Sequence, residues 1–367
     1  MSFYDILKKI DDYNIDKIFN NVTKNDILRI LDKEFISTND FIKLLSPTAD
    51  LFLENMAIRS NEITKRYFGN TIQLFTPLYI SNYCENDCTY CGYRANSGMK
   101  RKQLSLEEIE EEAKAIYKTG IRQVLLLTGE ANKSSTEYIL SAAEILDRYF
   151  PMVGIEIKAL TSEEYRAMYE KNVRYLTIYQ ETYNEKDYKL YHKKGPKADF
   201  RFRLDAPQRG AEAGFIGVNI GALLGLSDDA RKEILALGLH AQYLRDNFPE
   251  LEVSFSLPRL RPTKGGYEYK TIVSDRLYVQ MLLALRLYHP RTGITLSTRE
   301  NEAFRENLLK LGITKFSAGV KTSVGGYSDE NSDNSTEQFN IDDERSVESV
   351  SKFLLERGKQ PVFTDWF

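Results

Sequence analysis

Over the first 70 residues, apolar positions recur three and four apart. Tyr4, Ile6 and Leu7 are followed by Ile15, Ile18 and Phe19, and then by Ile27, Leu28, Ile30 and Leu31. That period is helical and predicts a helical region over 1–70. No cluster of catalytic type lies there, so it reads as a cap on the main domain. From about residue 72 the pattern changes to short apolar, β-branched runs separated by helical stretches. The runs predict strands at Ile72–Ile80, Gln123–Leu127, Val153–Ile157, Arg174–Tyr179, Ile216–Ile220, Glu252–Phe255, Gly293–Ser297 and Lys315–Ala318. Two intervening helices carry start signals, Ser105 with Glu108 and Thr161 with Glu164, each spaced as a capping box. Strand and helix alternating in this way imply a parallel sheet with right-handed crossovers, and eight repeats imply closure. The predicted fold class is α/β: a (β/α)8 barrel over 71–320, with an N-terminal helical extension and a C-terminal segment over 321–367 completing the barrel mouth. Ser328–Glu337 is polar and reads as an exposed loop.

A barrel places its chemistry at the C-terminal ends of the strands. Polar motifs do fall there: Thr128-Gly129-Glu130, Glu156, Gln180-Glu181-Thr182, Gly221–Gly225, Pro258–Pro262, Ser297–Glu300 and Ser317-Ala318-Gly319. Glu156 and Glu181, on adjacent strands, are carboxylates that need partners if buried. Arg259, Arg261 and Arg299 close successive strands, and a guanidinium suits a substrate carboxylate. A structural network is the alternative for Arg259 and Arg261, which leaves Arg299 the stronger candidate.

Composition narrows the classes. The formal net charge of −3 gives no bulk electrostatic case for nucleic acid or a membrane surface. No apolar stretch approaches the roughly 20 residues of a membrane span. Three scattered histidines and no G-x4-G-K-[ST] loop argue against a hydrolytic triad and a phosphate cradle. Free thiols with no export signal imply a reducing, cytoplasmic setting.

The three cysteines fall within eight residues: Cys84, Cys88 and Cys91, spaced C-x3-C-x2-C. Three is odd, and a chain this long needs no disulfide staple. A structural zinc site wants four ligands, and none of the three histidines is near in sequence. A [4Fe–4S] cluster held by three thiolates keeps one iron without a protein ligand, open to a small molecule.

C-x3-C-x-aromatic-C, with Tyr90 as the aromatic, resembles the signature of the radical S-adenosylmethionine (SAM) enzymes, in which SAM chelates the open iron. The resemblance extends along most of the chain. Pro77–Asn82, Cys88–Gly92, Thr128–Glu130, Tyr179–Tyr183, Gly221–Leu226, Pro258–Pro262, Leu296–Glu300, Gly325–Tyr327 and the terminal Asp365-Trp366 are similar to the family of 2-iminoacetate synthases, the tyrosine lyases of thiamine biosynthesis. It implies a [4Fe–4S] cluster on Cys84, Cys88 and Cys91. It also implies SAM contacts from Tyr90, Gly129, Glu130 (ammonium), Glu156 and Glu181 (ribose or amino group), Arg203 (carboxylate) and Leu223 (adenine). Substrate contacts would come from Arg299, Arg261 and Ser297, with Arg299, Ser317 and Tyr79 carrying catalysis. The implied reaction cleaves the Cα–Cβ bond of L-tyrosine to 2-iminoacetate and p-cresol. The implied partners are thiazole synthase and a flavodoxin or ferredoxin-type electron donor. Three rivals stand beside this reading: a tryptophan lyase, the tyrosine lyase that matures [FeFe]-hydrogenase, and a non-catalytic iron–sulfur sensor or scaffold. The maturase family carries further cysteines in a C-terminal extension, whereas no cysteine follows Cys91 here.

Overall fold

The computed structural model describes residues 2–261, 271–328 and 334–364. Pro262, Asp365, Trp366 and residues 329–333 of the polar loop lie outside the described residues.

All eight predicted strands are present. They are β1 (Thr71–Ser81), β2 (Gln123–Thr128), β3 (Met152–Glu156), β4 (Val173–Glu181), β5 (Gly217–Ala222), β6 (Glu252–Ser256), β7 (Gly293–Leu296) and β8 (Lys315–Ser317). Each is parallel to its neighbour, and β1 pairs with both β8 and β2, which closes the barrel. Both predicted capping boxes form, at Ser105 with Glu108 and at Thr161 with Glu164.

A strand that the sequence pattern does not predict, β9 (Gln360–Val362), pairs with the start of β1 at Thr71–Gln73. Gln73 pairs with Val362 and also with Lys315 of β8, so β9 and β8 take opposite edges of β1. β9 therefore fills the edge of β1 below the point where β2 begins to pair at Thr76.

Five helices precede the barrel: Phe3–Leu7, Ile15–Asn21, Lys24–Leu31, Thr38–Leu44 and Leu53–Phe68. They dock through aromatic side chains. Phe3 stacks on His240 at 4.1 Å, and Phe41 stacks on Tyr288 at 4.4 Å. Burying rings of this size on the outer helices adds to the apolar adhesion from Ile27, Ile30, Ile42, Leu44 and Met56.

Two register shifts matter for the site. β1 slips between Tyr79 and Ser81, and β4 slips between Tyr179 and Glu181. Both bulges lie at the C-terminal rim. Glu181 has φ of 70°, a left-handed conformation uncommon for a residue with a Cβ. Bulges of this kind bend a strand and re-aim the side chains beside them.

Candidate active site

One cavity opens at the C-terminal rim. Its wall includes all three cysteines, Tyr79, Tyr90, Gly129, Glu130, Glu156, Glu181, Arg203, Leu223, Arg261, Ser297, Arg299 and Ser317. Of the site residues singled out from the sequence, all but Arg259 therefore reach one space. Period-two alternation explains how: Phe75, Pro77 and Tyr79 of β1 all point inward, as do Leu125 and Leu127 of β2.

The backbone around the cysteine loop is held from three directions. Glu85 N donates to Glu130 O at 2.8 Å, tying the loop to the end of β2. Thr89 N donates to Tyr191 O and Asp87 N to Lys194 O, which lays residues 191–194 alongside. Arg101 donates to the carbonyls of Asn82, Tyr93 and Arg94 at 2.6–2.9 Å. Gly129 is needed at its position, because a Cβ there would lie 2.3 Å from the Tyr83 carbonyl oxygen. The close approach that this glycine permits is to the cysteine loop's own backbone.

The three thiols share the cavity wall, and three thiolates on a [4Fe–4S] group keep one iron open, so the donor set fits that group. His192, distant in sequence, is next to the loop through a Cys88–His192 bridge. It is not a spare ligand. Its Nδ1 lies 2.8 Å from the Tyr188 carbonyl and so carries the proton. Its Nε2 accepts from the Tyr90 hydroxyl, also at 2.8 Å. Burial holds this imidazole down at about 3, hence neutral.

Beside the cysteines lies a compact set of opposite charges. Glu130 accepts from Asn86 Nδ2 at 2.8 Å and from Arg203 Nη1 at 3.1 Å. Glu181 accepts from Lys197 Nζ at 2.6 Å, with Arg203 Nη2 3.8 Å away. Arg203 is fixed in turn by Nε donating to Tyr179 O. Burial opposes ionisation of Glu181, but Lys197 and Arg203 outweigh it and hold the carboxyl below its usual range. Glu156 fares differently. Burial and the neighbouring Glu181 push it up to about 7, against the partial relief of Arg299, Lys197 and Arg203. Asn86 and Lys197 were not singled out from the sequence. Asn86 Oδ1 accepts from Lys197 N at 2.9 Å, so one amide sets both the loop and the lysine.

The arginines separate into committed and available. Arg259 donates to both carboxylate oxygens of Glu300 and to Asp275, and it does not line the cavity. Arg261 lines it but pairs with Glu300 at 3.3 Å and Asp342 at 3.2 Å. The guanidinium of Arg299 makes no salt bridge among the described residues, and its carbon lies 3.6 Å from the centroid of the Phe339 ring. The Ser297 hydroxyl accepts from Arg299 N, and the Ser317 hydroxyl accepts from Thr298 N at 3.2 Å, so both serines brace the end of β7.

The model of the radical SAM superfamily matches residues 78–238, and that of the biotin and thiamin synthesis associated domain matches residues 256–360. Over 366 residues the chain is 37% identical to 2-iminoacetate synthase of Escherichia coli (strain K12), covering 100% of this chain and 97% of that protein. The Salmonella typhimurium 2-iminoacetate synthase matches at the same identity and coverage. Among solved structures, the [FeFe]-hydrogenase maturase HydG of Carboxydothermus hydrogenoformans superposes with a TM-score of 0.89 at 30% identity, covering 100% of this chain and 86% of that one. The barrel with its cysteine rim is thus of the radical SAM class. Within that class, the chain belongs to the 2-iminoacetate synthase family.

Proposed function

We infer that the chain is a radical SAM lyase that cleaves the Cα–Cβ bond of L-tyrosine. The products are 2-iminoacetate and p-cresol, with methionine and 5′-deoxyadenosine formed from SAM. The observation that carries the reading is a single cavity in which the three cysteines share a wall with the guanidinium of Arg299, which forms no salt bridge among the described residues. When bound, the cluster and SAM supply a 5′-deoxyadenosyl radical.

The chain's own residues position the reactants. SAM and tyrosine both carry an ammonium and a carboxylate. The Glu130–Arg203 and Glu181–Lys197 pairs suit the head group of SAM, because a zwitterion can enter between paired charges and satisfy both. Tyr90 and Leu223, packed in one apolar cluster with Cys88, offer a surface for the nucleoside. Glu156 is placed to accept a ribose hydroxyl or the amino group. Arg299 clamps the tyrosine carboxylate, and Tyr79 meets the amine. Arg261 is held by Glu300 and Asp342, so the clamp falls to Arg299 alone. Orientation and exclusion of water are the protein's main contribution to such a reaction.

Free 2-iminoacetate hydrolyses, so we expect hand-over to thiazole synthase, and reduction by a flavodoxin or ferredoxin-type donor in the cytoplasm. Among the described residues no helix is long and apolar enough to cross a membrane. Turnover of anaerobically reconstituted protein with SAM, reductant and tyrosine tests the reading. We expect glyoxylate, from hydrolysis of the imine, alongside p-cresol. Carbon monoxide in place of glyoxylate would move the chain to the maturase type.

A further inference from the structure

The cavity receives two side chains from a part of the chain in which the sequence pattern suggests only an exposed loop and its sequel. Gln338 and Phe339 both line it. Their backbone is held on both sides. Gln338 N donates to Thr322 O at 3.3 Å, the Thr322 hydroxyl donates to Phe339 O at 3.1 Å, and Asp342 N donates to Thr298 O at 3.0 Å. A Cβ on Gly92 would lie 2.4 Å from the Gln338 carbonyl oxygen, so this strap also packs directly on the cysteine loop.

The Gln338 amide touches two groups. Nε2 lies 3.8 Å from Cys91 Sγ, and Oε1 lies 3.2 Å from the Tyr79 hydroxyl. Chemistry fixes the orientation. A cluster-bound cysteine is a thiolate and can only accept, so the NH2 must face sulfur. The amide oxygen then faces Tyr79, whose single hydroxyl proton is committed to it. The lone pairs of the Tyr79 oxygen are left to accept from an amine in the cavity. One residue on, the Phe339 ring sits beneath the guanidinium of Arg299. Consecutive residues of one strap therefore support the groups read here as meeting the two ends of an α-amino acid.

We propose that Gln338 and Phe339 are the positioning pair of this site: Gln338 orients Tyr79 as the amine acceptor and links it to the cluster through Cys91, while Phe339 holds Arg299 in its clamping pose. The proposal rests on the tyrosine-lyase reading for its substrate, but the link to the cluster does not depend on which amino acid binds. Hydrogen bonds to cluster sulfurs help set the reduction potential. A donor to sulfur favours the more negative, reduced state, so its loss lowers the potential.

The test uses reconstituted full-length protein and two variants, Gln338→Leu and Phe339→Leu. Iron content should match wild type in both, because all three cysteines remain. Spectroelectrochemical titration should show a more negative midpoint in Gln338→Leu and an unchanged one in Phe339→Leu. With tyrosine, Gln338→Leu should form more 5′-deoxyadenosine per p-cresol than wild type. Phe339→Leu should raise KM for tyrosine about three- to thirty-fold, the range for a lost cation–π contact. An unshifted midpoint in Gln338→Leu, or an unchanged KM in Phe339→Leu, would overturn the proposal. Wild-type protein that cleaves SAM but gives no p-cresol would instead count against the tyrosine-lyase reading.

Discussion

Arg299 differs from its neighbours Arg259 and Arg261 in one respect that the sequence does not display. Glu300 reaches the other two, and among the described residues no carboxylate forms a salt bridge with Arg299. Which of three arginines an acid chooses depends on the backbone turn at the end of β7, and strand-end position alone could only rank them. Lysine at 299 keeps the charge but loses the planar fork. Arg299→Lys should lower kcat/KM for tyrosine by about 10- to 100-fold, the range for a lost charge-assisted hydrogen bond, and leave iron content unchanged. Glu156 yields a prediction about stability. Its carboxyl is raised to about 7, above the ordinary 4.5, so ionising it costs the folded state. Its contribution is most favourable below pH 4.5 and is lost as pH rises through 7. Glu156→Gln apoprotein should therefore melt above wild type at pH 8, with the gap closing by pH 4.5. A gap that is constant with pH would contradict the assignment of charge to this side chain.

At the scale of elements, the eight barrel strands were legible because each is a separate apolar run followed by a helical period. β9 was not: three residues including Pro361 carry no period, and only the free lower edge of β1 makes them a strand. The strap bearing Gln338 and Phe339 was missed for a related reason. Its polar composition is that of a loop, and its value lies in contacts to Cys91, Tyr79 and Arg299 far away in sequence. Lys197 lies outside every strand-end motif, and Asn86, though inside the cysteine loop, carries no spacing of its own; the role of each rests on contacts distant in sequence. The cysteine loop, by contrast, was plain from spacing, although what holds it was not. Gly129→Ala would drive a Cβ into the Tyr83 carbonyl. We expect a cost of about 1–3 kcal/mol from this overpacking, read as a lower melting temperature and less iron bound per chain after reconstitution.

For the whole molecule, the barrel gathers the polar ends of eight strands on one rim and leaves the helical N-terminal region to pack on the outside. The first helix of that region docks through Phe3, buried against His240 and edge-on to Tyr183. Phe3→Ala should weaken docking by about 3–5 kcal/mol. Limited proteolysis should then cut near the first helix, Phe3–Leu7, faster than in wild type, with iron content unaffected. The division of labour between rim and wrapping explains why fold and cofactor class could be read from one chain while substrate geometry could not. The first depends on periodicity and cysteine spacing, the second on which charges remain unpaired once the rim has closed. The central claim is that this rim holds tyrosine for cleavage by a SAM-derived radical. Its most direct test is to count p-cresol and 5′-deoxyadenosine from anaerobic, cluster-loaded protein given SAM, reductant and L-tyrosine. Both should form and rise together with tyrosine concentration; 5′-deoxyadenosine without p-cresol would contradict the claim.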